Sequence, residues 1–395
     1  MKNKEFTLVI TSLVPKTLEH IGKSGGLARL LEIVGRMSRD YKVKIMLITA
    51  DKDYARYFFE NRIVADIKFI KSNLKFRTLW GLGIKSLLII LKFIFFYPKK
   101  FLINDKKNIF YCASDLFWET LPAYFCRSRY KNVKWVQEIY HIYPHWKNRE
   151  GSIISNFVGY YLQKFSFFLI KRKADLIFSL SDLLKEDLIS SGFSKEKIVV
   201  SYNGIDRGYF EKLPASDTFY EGIFLGRLNY SKGIFDLIEI WEKVCAVIPP
   251  AKLAIIGGGD KKTKEDLKEK ITALKMKNNI EVLGYLEDKK AYILLKSSKV
   301  FLFPSHEEGW GIVINEALAC GLPVVSWNLP VYKSIFEDHI VQVKENDIEK
   351  FSNEVIKLLK NQELRNQIGS AGKEFIKRYS WDRVAANEYQ TIKNL

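Results

Sequence analysis

The sequence has few cysteines and no long uncharged apolar run. The four cysteines are Cys112, Cys126, Cys245 and Cys320. They are far apart and form no CxxC pair, so we predict neither a disulfide framework nor a cysteine zinc site, but reduced core residues of a cytosolic protein. The most apolar segment, SLLIILKFIFFYP, is interrupted by Lys92 and is shorter than the roughly 20 residues of a membrane span. No small-residue cleavage site follows the N-terminal apolar run, so we expect no signal peptide.

Positive charge is concentrated in the first half of the chain. The formal net charge is +18, and residues 1–205 hold 35 Lys and Arg against 18 Asp and Glu. Such a basic half can bind nucleic acid, an anionic membrane surface or an acidic substrate. Aromatic residues are interleaved with the basic ones in LKFIFFYPKKFL and YYLQKFSFFLIKRK, which favours a membrane interface over a duplex groove. The alternative is a solvated basic face over core aromatics.

Strand-like apolar runs alternate with helix-length stretches in two successive series. This pattern is typical of parallel sheets covered by helices, so we predict an α/β fold. At 395 residues the chain is too long for one ordinary core, and two domains are expected. The polar stretch at residues 203–220 divides the series, giving predicted domains of residues 1–205 and 206–379.

Two carboxylates flank a glycine-rich turn in PSHEEGWGIVINEALACGLPVVS, residues 304–326. Glu308 precedes the turn and Glu316 lies eight positions later, in a short apolar helix that begins near Gly311. The turn follows a strand-like run, and α/β sheets bind ligands where strands end. A helix N-terminus there favours anions. In the alternative interpretation, Glu308 is an ordinary first-turn acid and Glu316 a solvated side chain.

Other glycine-rich turns also follow strand-like runs. GIFLGRLNYSKG places Gly226, Arg227 and Lys232 near a strand end, where two cations beside glycines suit a diphosphate. LAIIGGGD ends in three glycines centred on Gly258, which could pass beneath a phosphate or simply reverse the chain. In GKSGGLARLL, in the first half of the chain, Gly25 and Gly26 stand at the start of a predicted helix. The N-terminus of this helix is a second predicted anion-binding site.

Together these motifs resemble the retaining glycosyltransferases of family 4, which have the GT-B fold, two Rossmann-like domains facing a central cleft, and a Glu-x7-Glu motif. The resemblance extends over nearly the whole chain. It implies that Arg227 and Lys232 bind the diphosphate of a UDP- or GDP-sugar. It also implies that Glu316 binds the ribose and Glu308 a sugar hydroxyl. Further donor-binding residues implied by the resemblance are Gly25, Gly26, Gly226, Gly258, Gly309, Trp310 and Gly311.

The resemblance also implies a catalytic position after a strand of the first domain, often a histidine. KWVQEIYHIYPHW offers His141 and His145, and we favour His141 because it directly follows the apolar run. A buried structural histidine is the alternative. Pro144 prevents a regular helix, so a metal pair formed by the two histidines is not predicted. The chain departs from many relatives at SWNLPVYKSIF, which leaves the donor sugar's surroundings less defined than those of the diphosphate.

The predicted activity is retaining, metal-independent sugar transfer to a glycan or lipid-linked acceptor bound by the first domain. We expect no cofactor, a C-terminal helix over about residues 380–395 that packs back on the first domain, and a cytoplasmic protein at the inner face of the membrane. DKD at residues 51–53 resembles the metal site of the other major glycosyltransferase fold, but we interpret it as a loop. Alternatives are a GT-B epimerase or phosphorylase, and a basic nucleic-acid-binding protein; nucleic acid is not a predicted partner.

Overall fold

The computed structural model describes residues 6–13, 25–70, 79–101, 107–149 and 152–395. The chain divides into two units. The first comprises residues up to Tyr202 together with Trp381–Leu395, and the second contains Asn203–Ser380. Each unit is built on its own parallel sheet covered by helices, so the predicted α/β fold class is confirmed.

The first unit has seven parallel strands in the order β3-β2-β1-β4-β5-β6-β7. The strands are β1 (Phe6–Ser12), β2 (Lys44–Thr49), β3 (Ala65–Phe69), β4 (Lys107–Cys112), β5 (Val133–Ile139), β6 (Leu176–Ser179) and β7 (Ile198–Val200). The helices before residue 203 are α1 (Gly25–Asp40), α2 (Lys52–Glu60), α3 (Leu79–Phe96), α4 (Pro98–Phe101), α5 (Phe117–Arg129), α6 (Ile153–Lys173) and α7 (Asp182–Ser190). Apolar residues of α1 and α2 pack on one face of the sheet, and those of α3, α5 and α6 on the other. This double cover explains the continuous apolar runs of the central strands.

The second unit has six parallel strands in the order β10-β9-β8-β11-β12-β13. The strands are β8 (Gly222–Leu225), β9 (Leu253–Ile256), β10 (Ile280–Gly284), β11 (Val300–Phe303), β12 (Val324–Trp327) and β13 (Val341–Val343). The helices are α8 (Arg207–Lys212), α9 (Ile234–Val247), α10 (Lys261–Ala273), α11 (Asp288–Lys296), α12 (Ile312–Ala319), α13 (Pro330–Phe336), α14 (Ile348–Lys360) and α15 (Gln362–Phe375). From β8 the chain winds outward to β10, and it then restarts at β11 and winds the other way.

The last helix, α16 (Trp381–Lys393), belongs to the first unit. Its Trp381, Val384 and Ile392 are buried in the same apolar cluster as α1. The apolar face of this helix therefore completes a core that begins more than 340 residues earlier in the sequence. None of the helices in the described ranges is both long enough and apolar enough to cross a membrane.

Candidate functional site

The loops that follow β8 and β11 lie side by side at the centre of the second sheet. These strands are direct neighbours, and the strand order reverses between them. In open α/β sheets, ligands bind outside the carboxyl ends of strands at such a reversal. Arg227 and Lys232 follow β8 and Glu308 follows β11, so the fold places these predicted residues on the two loops where a ligand is expected.

Lys232 and Glu308 are in direct contact. Lys232 ends a short 3-10 turn, Tyr230–Lys232, and its backbone N–H is capped by the side chain of Asn229 at 3.2 Å. The buried Nζ of Lys232 forms an ion pair with Glu308 and donates to the Glu307 carbonyl at 3.1 Å. Because both charged side chains are largely removed from water, their attraction is less screened than at a surface.

A glycine makes this contact possible by bringing the two loops together. Gly233 has a left-handed φ of 63°, and a Cβ there would lie 1.8 Å from the carbonyl oxygen of Pro304. The backbones after β8 and β11 therefore touch at a point where only glycine fits. Lys232 immediately precedes this contact, which fixes its position relative to Glu308.

The glycine run after β9 supports the loop that carries Arg227. A Cβ on Gly257 would lie 1.7 Å from the Gly226 carbonyl oxygen, and one on Gly259 would lie 2.5 Å from the Leu228 carbonyl oxygen. Leu228 N donates to the carbonyl of Gly258 at 2.8 Å. The glycines are thus explained by close approach of two backbones. The Arg227 side chain is exposed and makes no hydrogen bond or ion pair within the described part of the chain, so this cation remains accessible to a ligand.

The turn formed by Gly309, Trp310 and Gly311 is anchored through its aromatic side chain. Trp310 is 2% exposed and its indole Nε1 donates to Asn315 at 3.1 Å. Gly311 has a φ of 89° and caps α12, and a Cβ there would lie 3.2 Å from the ring of Tyr332. Because the indole is part of the core, this turn offers a ligand its backbone and not the Trp310 side chain.

Glu316 lies on α12 and is buried. Its carboxyl accepts a hydrogen bond from the Tyr292 hydroxyl at 2.7 Å. Burial raises the pKa of Glu316 to about 8, against the opposing effect of the Tyr292 hydrogen bond, with Asp288 raising it further. Glu308 and Glu316 therefore occupy distinct environments, one paired with a cation and the other with a phenol.

His306 is a residue of this region that sequence reasoning missed. Its two ring nitrogens lie 3.0 Å from Asp236 and 2.6 Å from Glu345. Burial lowers the pKa of His306, but the two carboxylates outweigh it and raise the pKa to about 9. The protonated ring ties the loop after β11 to α9 and to the segment after β13. No local motif signals this role, because the two partners are distant in sequence.

In the first unit, Gly26 lies in the first turn of α1 beneath the ring of Tyr140. A Cβ on Gly26 would lie 2.7 Å from Tyr140 Cε2. The Tyr140 hydroxyl donates to Glu138 at 2.7 Å. Gly25 is the exposed first residue of the same helix. The glycine pair therefore opens α1 beside the segment that leads to His141.

His141 lies two residues after β5, half-buried, with its ring centroid 4.8 Å from that of Tyr143. Its loop is held by one amide on α6. Gln163 Nε2 donates to the His141 carbonyl at 3.0 Å and to Asp115 at 2.7 Å, while its Oε1 accepts from Tyr143 N at 2.8 Å. The side chain of His145 instead caps a short turn by accepting from Lys147 N at 3.4 Å.

A buried ionic cluster, also missed from the sequence, connects α1 to α16. Arg29 pairs with Glu138 at 3.0 Å and with Glu388, and all three side chains are buried. The Tyr111 hydroxyl donates to Glu388 at 2.7 Å. Burial raises the pKa of Glu388 to about 7, opposed by Arg29 and assisted by Glu138. The cluster fixes the helix that begins with the Gly25–Gly26 pair.

The two aspartates of the DKD sequence have structural roles. Asp51 caps α2 by accepting from Asp53 N at 2.9 Å, and Asp53 lies 3.7 Å from Arg56. The described residues contain no group of three or more histidine, cysteine or acidic side chains arranged to hold a metal ion.

Two parallel-sheet units with cationic loops at a strand reversal are typical of α/β proteins that bind ligands at the carboxyl ends of their strands. Residues 207–375 match the family model described as Glycosyl transferases group 1. The second unit therefore carries the domain of that group, and the fold of the chain is GT-B.

Curated relatives and solved structures agree with this assignment. The chain is 27% identical over 261 residues to an uncharacterized glycosyltransferase of Methanocaldococcus jannaschii, covering 64% of this chain and 69% of the relative. It is 30% identical over 179 residues to the phosphatidyl-myo-inositol mannosyltransferase of Mycobacterium leprae, covering 43% of this chain and 46% of that protein, so the chain matches about half of the mannosyltransferase. A crystal structure of Anabaena HepE in complex with UDP and glucose superimposes with a TM-score of 0.74 at 16% identity, covering 98% of this chain and 100% of HepE.

Proposed function

We propose that the chain transfers a sugar, with retention of anomeric configuration and without a metal ion, from a UDP- or GDP-sugar to a glycan or lipid-linked acceptor. The observation that carries the proposal is the Lys232–Glu308 pair beside the accessible Arg227, at the strand reversal of the second sheet. Relatives support the substrate class, since HepE is titled as a complex with UDP and glucose and another relative is named a mannosyltransferase.

Arg227 and Lys232 have the chemistry required by the leaving group. When the bond between the anomeric carbon and the diphosphate breaks, negative charge grows on the diphosphate oxygens. Guanidinium and ammonium groups held at that point stabilise the growing charge, which is usually the largest catalytic contribution. The acceptor oxygen bonds to the same face of the anomeric carbon, and its proton passes to the departing diphosphate. Two side-chain cations supply the positive charge that a metal ion otherwise provides.

The two glutamates divide donor recognition between them. Glu316 accepts hydrogen bonds from the ribose, and the N–H groups at the start of α12 face the diphosphate. Glu308 accepts from a hydroxyl of the donor sugar while it holds Lys232. Lys232 then connects Glu308, which recognises the sugar, to the diphosphate leaving group. A correctly placed sugar therefore orients the cation that assists departure of the diphosphate.

His141 is the proposed catalytic contact in the first unit. The hydrogen bonds from Gln163 hold its loop after β5, and Gly25 and Gly26 open the neighbouring helix. We propose that Gly25 and Gly26 contribute to donor binding and that His141 acts in catalysis. The first unit carries the acceptor, which we place at the inner surface of the cell membrane.

A screen of nucleotide-sugars tests the proposal. The full chain is incubated with UDP- and GDP-linked hexoses and N-acetylhexosamines, and release of UDP or GDP is followed. We expect one nucleotide class to be released and Arg227→Ala to slow the release on the order of 10²-fold. Interconversion of the sugar on an intact nucleotide-sugar would instead establish an epimerase, and failure with every donor would overturn the proposal.

A further inference from the structure

Helix α6 buries both apolar and polar residues and exposes many large apolar ones. On the side facing the sheet it buries Phe167, Leu169 and Ile170. It also buries the polar residues Asn156, Gln163 and Ser166, which find partners in Arg149, Asp115 and Thr120. On the outer side it exposes eight large apolar residues. They are Ile153, Ile154, Phe157, Val158, Tyr161, Leu162, Phe165 and Phe168. Their spacing follows one stripe along the helix, on the side where a surface helix is usually polar.

Helix α3 carries a second exposed stripe on the same side of the first unit. Its exposed residues are Ile84, Leu87, Leu88, Leu91, Phe95 and Phe96. Helices α3, α5 and α6 cover the same face of the sheet, and α5 contacts both of the others. The two stripes together hold 14 of the 24 exposed large apolar residues in the described ranges. Scattered single residues are normal on a surface, whereas a concentration of this size marks an interaction site.

The charges on these two helices all have one sign. Neither helix contains Asp or Glu, and together they carry six basic residues. These are Lys85, Lys92, Lys164, Lys171, Arg172 and Lys173. Arg172 lies over the ring of Phe168 at 4.0 Å, and Lys164 lies 5.3 Å from the ring of Tyr160. An anionic bilayer has an apolar interior and negatively charged headgroups. The apolar stripes complement its interior, and the basic residues around them complement its headgroups.

We propose that the outer faces of α3 and α6 form a docking surface for an anionic lipid bilayer. The inner side of α6 holds the His141 loop through Gln163, so the helix that lies on the bilayer also carries the loop proposed to meet the transferred sugar. This inference adds to the proposed function the surface from which a lipid-linked acceptor is reached. It depends on the proposed function only for the nature of the acceptor.

Vesicle sedimentation tests the docking surface. The full chain is mixed with vesicles of phosphatidylcholine containing phosphatidylglycerol, and with phosphatidylcholine alone. Binding is expected to the anionic vesicles and to fall as salt is raised. The double variant Ile154→Ser/Phe168→Ser removes two exposed apolar contacts, and we expect its vesicle affinity to fall by about tenfold or more.

A matched double variant controls for the loss of exposed apolar residues in general. Phe59→Ser/Val64→Ser changes residues that are 69% and 81% exposed in the same unit, near α2, which packs on the other face of the sheet. This control is expected to bind vesicles like the wild type. Equal binding by both double variants, or no binding of the wild type to anionic vesicles at low salt, would overturn the inference.

Two further readouts separate this inference from its alternatives. Light scattering on a sizing column reports the oligomeric state. If the wild type is a dimer that dissociates in the Ile154→Ser/Phe168→Ser variant, the stripe binds a second copy of the chain. That result would contradict bilayer docking. UDP and GDP binding is measured on the same samples. Intact nucleotide binding without vesicle binding would reject the docking surface and leave the proposed function standing, whereas the reverse result would reject the donor site.

Discussion

Lys232 Nζ is held between the carboxylate of Glu308 and the carbonyl of Glu307, which it reaches at 3.1 Å. The two loops that supply these groups follow neighbouring strands and are brought together at Gly233. The lysine is therefore positioned before any ligand binds. A preorganised cation does not have to be reoriented during the reaction, which is why such groups stabilise developing charge effectively.

The accessible cation Arg227 should be needed for turnover and dispensable for folding. Arg227→Ala removes a charge-assisted contact to the departing diphosphate, and we expect kcat to fall on the order of 10²-fold. The melting temperature should stay close to that of the wild type, because the side chain is exposed. Arg207→Ala is the matched control, since Arg207 is an exposed arginine of the same unit that pairs with Glu211 on its own helix. Equal turnover of Arg227→Ala and the control would refute the assignment.

Transfer should continue when divalent ions are removed. In the proposed function Arg227 and Lys232 neutralise the diphosphate, and Asp51 is occupied as the cap of α2. Turnover is compared before and after dialysis against EDTA, and again after Mn²⁺ or Mg²⁺ is added. Loss of activity in EDTA with recovery on adding the metal would contradict this assignment.

Gln163 should act as a positioning residue for the loop of His141. Gln163→Ala removes the hydrogen bonds to His141, Asp115 and Tyr143, and we expect kcat to fall by about tenfold while the affinity for free nucleotide is unchanged. Asn156→Ala controls for the loss of a buried amide on the same helix, because Asn156 bonds to Arg149. A fall in kcat of the same size in both variants would reduce Gln163 to a purely structural role.

The buried carboxyl of Glu316 should make stability depend on pH. Its pKa is raised by burial from 4.5 to about 8, so the folded state retains a proton that the unfolded state loses between these values. Stability conferred by the protonated group is present at acid pH and is lost as pH rises through about 8, with a slope of at most about 1.4 kcal/mol per pH unit.

Thermal melts from pH 5 to pH 9 of the wild type and Glu316→Gln measure this effect. The glutamine stays neutral, so the variant should lose less stability over that range. Glu363→Gln, a change of an exposed acid on α15, should leave the wild-type profile unaltered. Parallel profiles for the wild type and Glu316→Gln would show that the carboxyl does not titrate in this window.

The central strands of both sheets could be predicted from the sequence, whereas the edge strands β3 and β13 could not. Central strands such as β8 and β11 are covered on both faces and form unbroken apolar runs. By contrast, β3 places Asp66 and Lys68 among its apolar residues, and β13 is only three residues long. An edge strand needs less apolar surface, so its signal is weak.

Local motifs supplied the candidate residues of the site but did not indicate the contacts between them. Lys232 and Glu308 were predicted to bind different parts of the donor, and their ion pair joins positions 76 residues apart. Arg29 and Glu388 are 359 residues apart. Pairings of this kind depend on strand order and on the return of α16, which no local pattern encodes. The exposed apolar stripe of α6 likewise could not be distinguished from core residues until the inner side of the helix was known.

Calorimetric titration of UDP and GDP into Glu316→Gln and Glu308→Gln is the most direct test that the donor binds at α12 of the second unit. Glu316→Gln should weaken nucleotide binding by about tenfold, because the glutamine amide has one oxygen that can accept from the ribose where the carboxyl has two. Glu308→Gln should bind free nucleotide at least as well as the wild type, since it releases Lys232, while turnover of the nucleotide-sugar falls. Nucleotide affinities equal to that of the wild type in both variants, or a loss confined to Glu308→Gln, would contradict the account.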